Sequence, residues 1–174
     1  MLAKRKKKLI IPGVKTLYKL GVKPNHLTIT GLIIAVTALF TPLYPALILF
    51  SIAFFIDVLD GNLARNHKLT SKFGGVLDST VDKIVEALFI TYLGIQLGAQ
   101  AQGMMAVGLS IMISYVKHRS GLSLTSFFDR GERLIFLLVT TILLSSQATI
   151  NFIIYNALCT LAIIQLMYKV RQKL

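Results

Sequence analysis

Three stretches of the chain carry no charged residue, Leu27–Ile56, Ala87–Val116 and Leu134–Tyr168, of 30, 30 and 35 residues. A single helix of that length would be about 45 Å or longer, against a hydrocarbon core of about 30 Å. Each stretch therefore predicts two helices joined by a tight turn. Turn-forming residues lie near the middle of all three: Thr41-Pro42 and Pro45 in the first, Gly98-Ala-Gln-Ala-Gln-Gly103 in the second, Ser145-Ser146-Gln147 and Asn151 in the third. The expected fold is all-α, an integral membrane protein with six transmembrane helices in three hairpins. Ahead of the first hairpin, Ile10, Val14, Leu17 and Tyr18 recur at helical spacing against Lys15 and Lys19, which predicts a short amphipathic helix lying in the headgroup plane. Residues 1–26 then form a basic tail with an interfacial helix, and residues 27–174 the membrane domain.

Composition agrees: 55% hydrophobic residues and a mean hydropathy of +0.71 exceed what a soluble globular chain carries. A net charge of +12 raises the question of nucleic acid, and placement of the charges answers it. All 19 Lys and Arg residues lie in the two tails, in the polar segments between hairpins, or at Lys83, and none lies in the three short turns. The positive-inside rule then puts both termini and both polar linkers in the cytoplasm, with the basic excess facing an anionic leaflet, and no nucleic-acid partner is expected. Lys169, Arg171 and Lys173 at the end of the last helix read as snorkelling side chains. The single Cys159 sits in an apolar helix and reads as a packing residue.

The acidic residues break this pattern. On a helix, Asp57, Asp60, Gly61 and Ala64 share one stripe, and Asp78, Asp82 and Glu86 form a second at i, i+4, i+8. The linker Asn66–Phe73 reverses the chain between them, so Asp60 and Asp78 each lie roughly 8 Å from it and Asp57 and Asp82 each roughly 13 Å. Four carboxylates in apolar surroundings need compensation, and Arg65, Lys83 and Lys72 are too few to neutralise them. A divalent metal fits better. An all-oxygen set without Cys favours Mg²⁺, or Mn²⁺, and Mg²⁺ characteristically shares its coordination with substrate phosphates, while a pair of ions can clamp a displacement at phosphorus. Gly61 lets a ligand approach the backbone, Ala64 keeps the same face open, and Arg65 can fork onto phosphate oxygens.

Asp57-x-x-Asp60-Gly61-x-x-Ala64-Arg65, eight residues, then Gly74-x-x-x-Asp78-x-x-x-Asp82 resembles the signature of the CDP-alcohol phosphatidyltransferases, with all eight specified positions filled. The six-helix layout and Pro24-Asn25-x-x-Thr28 are similar to that family as well. The resemblance implies a phospholipid-biosynthesis enzyme in which an alcohol attacks the lipid-side phosphorus of a CDP-linked lipid and CMP leaves. By position it implies two Mg²⁺ ions held by Asp57, Asp60, Asp78 and Asp82, with Asp82 also accepting the hydroxyl proton. It implies a CDP-lipid site of Asn25, Thr28, Gly61, Ala64, Arg65, Ser71 and Gly74, a homodimer, and a multi-pass protein of the plasma membrane with a cytoplasmic active site.

For the acceptor, Tyr115-x-Lys117-x-Arg119 resembles the phosphatidylinositol-phosphate synthases and their archaeal ether-lipid counterparts. Asp129-Arg130-Gly131-Glu132-Arg133-Leu134 is similar too, but has Asp for the usual Glu and Gly for the usual Pro. This implies inositol phosphate as acceptor, its phosphate held by Lys117, Arg119, Arg130 and Arg133, with glycerol 3-phosphate as the alternative. The diacyl or archaeal ether nature of the lipid is left open. A divalent-cation transporter also places carboxylates in helices, but near the midplane between repeated halves, whereas these acids gather toward one face and the chain has no repeat.

Overall fold

The computed structural model describes residues 14–173, and among these it is entirely helical. A short α1 (Val14–Lys19) precedes α2 (Pro24–Ala38), α3 (Leu43–Asn66), α4 (Lys72–Gln96), α5 (Gln100–Arg119), α6 (Arg130–Leu144) and, after one 3₁₀ turn, α7 (Ala148–Lys173). All three charge-free stretches are thus broken where the turn residues predicted. Among the described residues, two stretches are long and apolar enough to cross a membrane, Leu43–Asn66 and Arg130–Lys173. The second, at 44 residues, is divided by the turn at Ser145–Gln147, and α6 packs against α7. Bulky apolar side chains are exposed on each of α2 to α7, for instance Phe40 at 84% just beyond α2 and Leu143 at 71% on α6. A large apolar exterior of this kind suits lipid rather than water.

Local chemistry sets the helix ends. Pro24 is the first residue of α2, where its missing N–H costs nothing, and Pro45 falls in the first turn of α3 for the same reason. Ser71 caps α4: its Oγ accepts the Gly74 N–H at 2.9 Å, so the helix starts at Lys72, two residues before the expected Gly74. The linker is correspondingly shorter than the predicted Asn66–Phe73. At the other end of that linker Lys68 has φ 55°, and the Leu69 N–H closes back onto Ala64 O at 3.0 Å. A lysine in the left-handed conformation costs about 1 kcal/mol that Gly98, with φ 70° after α4, does not incur. The last helix runs to Lys173, with Lys169, Arg171 and Lys173 in its final turns.

Two compact units divide the chain, Met1–Val85 and Glu86–Leu174, and the boundary falls within α4. In the first unit α2 packs on α3: Gly31 lies against Ala53 and Ile56, with Ala35, Ala38, Leu47, Phe50 and Leu63 buried. The rings of Tyr18 on α1 and His67 after α3 stack at 3.9 Å, which fastens α1 to the end of α3. Leu9 and Ile10 lie outside the described residues.

In the second unit the α4 and α5 backbones meet at Gly94 and Gly103: a Cβ on Gly103 would stand 3.1 Å from the Gly94 Cα. The small pair in contact is therefore Gly94–Gly103, and Gly98 forms the turn between the two helices. Tyr155 on α7 is fully buried, hydrogen-bonded to Ser110 of α5 at 2.7 Å, and edge-on to Phe128 and Phe152. Cys159 is buried beneath it, as a packing residue. Lys169 donates to Thr125 O at 2.8 Å and Gln165 accepts the Phe127 N–H at 3.2 Å, so the segment before α6 is tied to α7. Lys169 thus has a protein partner where snorkelling was expected.

Candidate active site

The sequence stripes converge in the first unit. Carboxylate oxygens of Asp57, Asp60 and Asp78 all lie within 4.8 Å of one another. Asp57 and Asp60 come from α3 and Asp78 from α4, brought together by the capped linker. Asp82, one turn further along α4, stands outside this group of three and is half-buried. Lys83, considered as a neutralising partner, instead donates to Ser79 of its own helix, at 2.8 Å to the hydroxyl and 3.0 Å to the carbonyl.

Asp60 is the most deeply placed of the three, at 2% exposure. Its Oδ2 accepts a hydrogen bond from Thr28 Oγ1 at 2.6 Å, while its Oδ1 is buried with no hydrogen-bond partner. Buried polar atoms are nearly always satisfied, and a lone carboxylate oxygen beside two further carboxylates is the opposite of a stable arrangement. A divalent cation resolves both problems at once. Three hard oxygen donors from three Asp side chains suit Mg²⁺ or Mn²⁺, with coordination positions left for substrate oxygens.

Thr28 has one hydroxyl proton and two acceptors, Asp60 Oδ2 at 2.6 Å and Pro24 O at 3.2 Å. The shorter contact, to the charged oxygen, takes the proton. Thr28 therefore fixes the carboxylate's orientation, holding Oδ2 and leaving Oδ1 without a hydrogen-bond partner. Outer partners of this kind change metal affinity by about ten- to a hundredfold. Thr28→Val is expected to weaken Mn²⁺ binding to the purified protein by that factor, read by electron paramagnetic resonance without substrate, while Thr28→Ser stays near wild type. Unchanged Mn²⁺ affinity in Thr28→Val would show that Asp60 needs no orienting partner.

Asp60 and Asp78 also form part of the wall of a cavity of about 140 Å³. Asn25, Thr28, Gly61, Ala64, Arg65, Ser71 and Gly74, the seven positions expected to hold CDP, all line it. The wall includes Leu69, Thr70 and Gly75 as well, which the sequence did not single out as site residues. Two glycines are sterically required. A Cβ on Gly74 would stand 2.8 Å from Ser71 Oγ and 3.1 Å from Asn25 Oδ1, so a side chain there would break the cap and push Asn25 out of the wall. Over Gly61 lies the Arg65 guanidinium, whose Nη1 and Nη2 are each 3.1 Å from where a Cβ would be. The open face that Gly61 provides is thus shared with its own arginine, placed to fork onto a diphosphate.

In the second unit the four expected acceptor cations differ in environment. Arg119 is exposed at the end of α5, and Lys117 is half-buried and paired with Asp129, the residue preceding α6. Arg130 opens α6 with its Nε 4.0 Å from Glu86 Oε2. Arg133 is 1% exposed, donating from Nε and Nη2 to Glu86 Oε1 at 3.0 and 2.7 Å and from Nη1 to Phe128 O at 3.3 Å. Glu86 entered the sequence reading as the third member of an acidic stripe. Its pairing with an arginine 47 residues later left no sequence signal beyond that stripe.

A carboxylate cluster opening on a small polar cavity, built on the two halves of one motif, is diagnostic when the whole chain follows the same pattern, and it does: the model of the CDP-alcohol phosphatidyltransferases matches residues 22–167. The chain belongs to the CDP-alcohol phosphatidyltransferase family. It is a transferase of phospholipid biosynthesis acting with a CDP-linked lipid. It is 34% identical over 173 residues to the archaetidylinositol phosphate synthase of Pyrococcus horikoshii, covering 92% of this chain and 89% of that one. With the phosphatidylinositol phosphate synthase of Corynebacterium glutamicum it shares 36% over 148 residues, 75% and 68% of the two chains. The phosphatidylinositol phosphate synthase of Mycobacterium tuberculosis with CDP-DAG bound has the same fold, with a TM-score of 0.77 at 22% identity over 91% of this chain and 92% of that one. That mycobacterial protein has also been solved in complex with manganese and citrate.

Proposed function

We propose that the protein transfers the phosphatidyl or archaetidyl group of a CDP-linked lipid to inositol phosphate, releasing CMP. The acceptor hydroxyl attacks the lipid-side phosphorus, forming the new P–O bond as the P–O bond to CMP breaks, and the hydroxyl proton passes to Asp82. Asp57, Asp60, Asp78 and Asp82 hold two Mg²⁺ ions, which when bound neutralise charge developing on the diphosphate. Arg65, with Gly61 and Ala64 beneath it, takes the diphosphate side of the cavity. Asn25, Thr28, Ser71 and Gly74 shape the rest. Lys117, Arg119 and Arg130 serve the acceptor phosphate, and Arg133, expected among them, is buried against Glu86 and holds the first turn of α6.

The observation that carries this reading is the three-carboxylate cluster sharing Asp60 and Asp78 with the cavity wall. The choice of acceptor is supported by the cations at the end of α5 and the start of α6, and by relatives at 34% and 36% identity named for inositol phosphate products. The test is CMP release by purified protein from a CDP-linked lipid against inositol phosphate, glycerol 3-phosphate, free inositol and serine. Inositol phosphate is expected to give the highest kcat/KM. Preference for free inositol or serine would overturn a phosphate-binding acceptor site, and preference for glycerol 3-phosphate would replace the acceptor while keeping the site.

The protein works in this reading as a homodimer in the plasma membrane, with a six-span domain over residues 27–174, an interfacial helix before it, and both termini cytoplasmic. The turns near residues 42–45, 98–103 and 145–151 face outward, since they carry no Lys or Arg. Gln100 is exposed at the start of α5. A Gln100→Cys substitution in a Cys159→Ala background should therefore react with an impermeant thiol reagent in intact cells. Labelling only after permeabilisation would reverse the orientation.

A further inference from the structure

We propose that Tyr18 and His67 are positioning residues of the nucleotide cavity: their stacked rings clamp the segment entering α2 to the turn between α3 and α4, and so hold two parts of the cavity wall together. The proposal rests on the reading of that cavity as the CDP site and adds to it two residues that do not line it.

Two short segments supply much of the wall. Pro24, Asn25 and Thr28 come from the start of α2, and Leu69, Thr70 and Ser71 from the turn after α3. That turn has little burial to hold it, since residues 68–71 are all exposed. It leaves the helix through Lys68 at φ 55°, a conformation that costs a residue other than glycine. Its backbone closes with the His67 N–H on Leu63 O at 3.2 Å and the Leu69 N–H on Ala64 O at 3.0 Å. His67, half-buried at the end of α3, adds an anchor from outside the turn: the Tyr18 ring lies over the imidazole with centroids 3.9 Å apart and planes within 9°.

The α1 side of the clamp is rigid as well. The Gly21 N–H bonds Tyr18 O at 3.0 Å and the Val22 N–H bonds Leu17 O at 3.1 Å, with Gly21 at φ 72°. This is the paired closure of a Schellman motif. Lys23 alone separates it from Pro24, whose fixed φ starts α2. Any movement of Tyr18 is thereby tied to the entrance of α2, and the stack ties both to the turn that carries Leu69, Thr70 and Ser71. Holding a binding segment in its bound shape raises affinity by removing the cost of ordering it. Tyr18 is 47% exposed, so its loss leaves the buried contacts of α1, such as those of Val14, in place.

The test is steady-state kinetics of the purified full-length protein with a CDP-linked lipid and inositol phosphate, together with inhibition by CMP. Tyr18→Ala and His67→Ala are each expected to raise the CMP Ki and the KM for the CDP-lipid by about three- to tenfold, the scale of one stacked pair, with kcat and acceptor KM unchanged. Tyr18→Phe and His67→Phe keep two stacked rings and should match wild type. The double alanine variant should be no worse than either single one, because each removes the same contact. A wild-type CMP Ki in both alanine variants, an equal loss in the phenylalanine variants, or additive losses in the double variant would overturn the proposal. A fall in kcat with KM and Ki kept would make the stack structural only and overturn it too. So would a raised KM for the CDP-lipid with an unchanged CMP Ki, which would move the effect from the nucleotide to the lipid tails.

Should His67→Ala fail to fold, Tyr18→Ala against Tyr18→Phe makes the same comparison from the exposed ring. Gly74→Ala separates this proposal from the reading beneath it, because a Cβ there meets Ser71 Oγ and Asn25 Oδ1 in the cavity wall and neither ring. A CMP Ki unchanged in Gly74→Ala overturns the CDP reading of the cavity and this proposal with it. A raised Ki there, combined with wild-type values in both alanine ring variants, overturns this proposal alone.

Discussion

Asp60→Asn is expected to lower CMP release at saturating Mg²⁺ by about two to three orders of magnitude, the scale of losing one preorganised electrostatic contact to a transition state. Asn keeps the size of the side chain and an oxygen for Thr28. It removes the charge of a carboxylate that clusters with Asp57 and Asp78 and whose Oδ1 has no hydrogen-bond partner. The same substitution at Asp57 or Asp78 should act alike, and all three should weaken Mn²⁺ binding measured without substrate. Asp82 stands outside the cluster, so Asp82→Asn separates the roles: kcat should fall as far, while Mn²⁺ affinity falls less. In metal-free protein Asp60→Asn relieves repulsion among three close carboxylates, and the variant should unfold no earlier than wild type. Near-normal turnover in any of the four Asn variants would remove that residue from the site. Equal loss of Mn²⁺ affinity in Asp82→Asn and Asp60→Asn would make Asp82 an equal ligand.

The residues that were legible from sequence are those whose meaning is local. Charge-free length weighed against bilayer thickness calls for a break in each stretch, and the helices do break near Pro42, Gly98 and Ser145. Helical periodicity likewise put Asp57, Asp60 and Asp78 on surfaces able to meet. Partners that arise from packing between distant segments were not legible. The stripe of Asp78, Asp82 and Glu86 is continuous on α4, yet Asp78 joins the carboxylate cluster and Glu86 pairs with Arg133. Spacing fixes the face a side chain occupies and not which segment packs there. For that reason Arg133 read as a phosphate ligand in a run of cations, though it is among the most buried side chains described. Lys68 gave no signal either, since a left-handed lysine becomes necessary only once the Ser71 cap has shortened the linker.

Those environments give the acceptor cations unequal expected effects. A charge-assisted bond to phosphate is worth about 1.5–3 kcal/mol, or roughly ten- to a hundredfold in affinity. Arg130→Gln is expected to raise the KM for inositol phosphate within that range, with the KM for the CDP-lipid unchanged. Lys117→Gln should cost less, because the Lys117 ammonium is already paired with Asp129 and phosphate must share it. Removing the competitor then has the opposite sign: a partly exposed ion pair is worth about 0.2–1 kcal/mol, so Asp129→Asn should lower acceptor KM by up to about fivefold. Free inositol, lacking the phosphate, provides the control, and its slow transfer should be the same in wild type, Arg130→Gln and Lys117→Gln. If these cations serve only to orient the chain in the membrane, all three substitutions would leave the KM for inositol phosphate at its wild-type value. A fall in free-inositol transfer matching that with inositol phosphate would mean that the variants distort the site at large and that no phosphate contact had been removed.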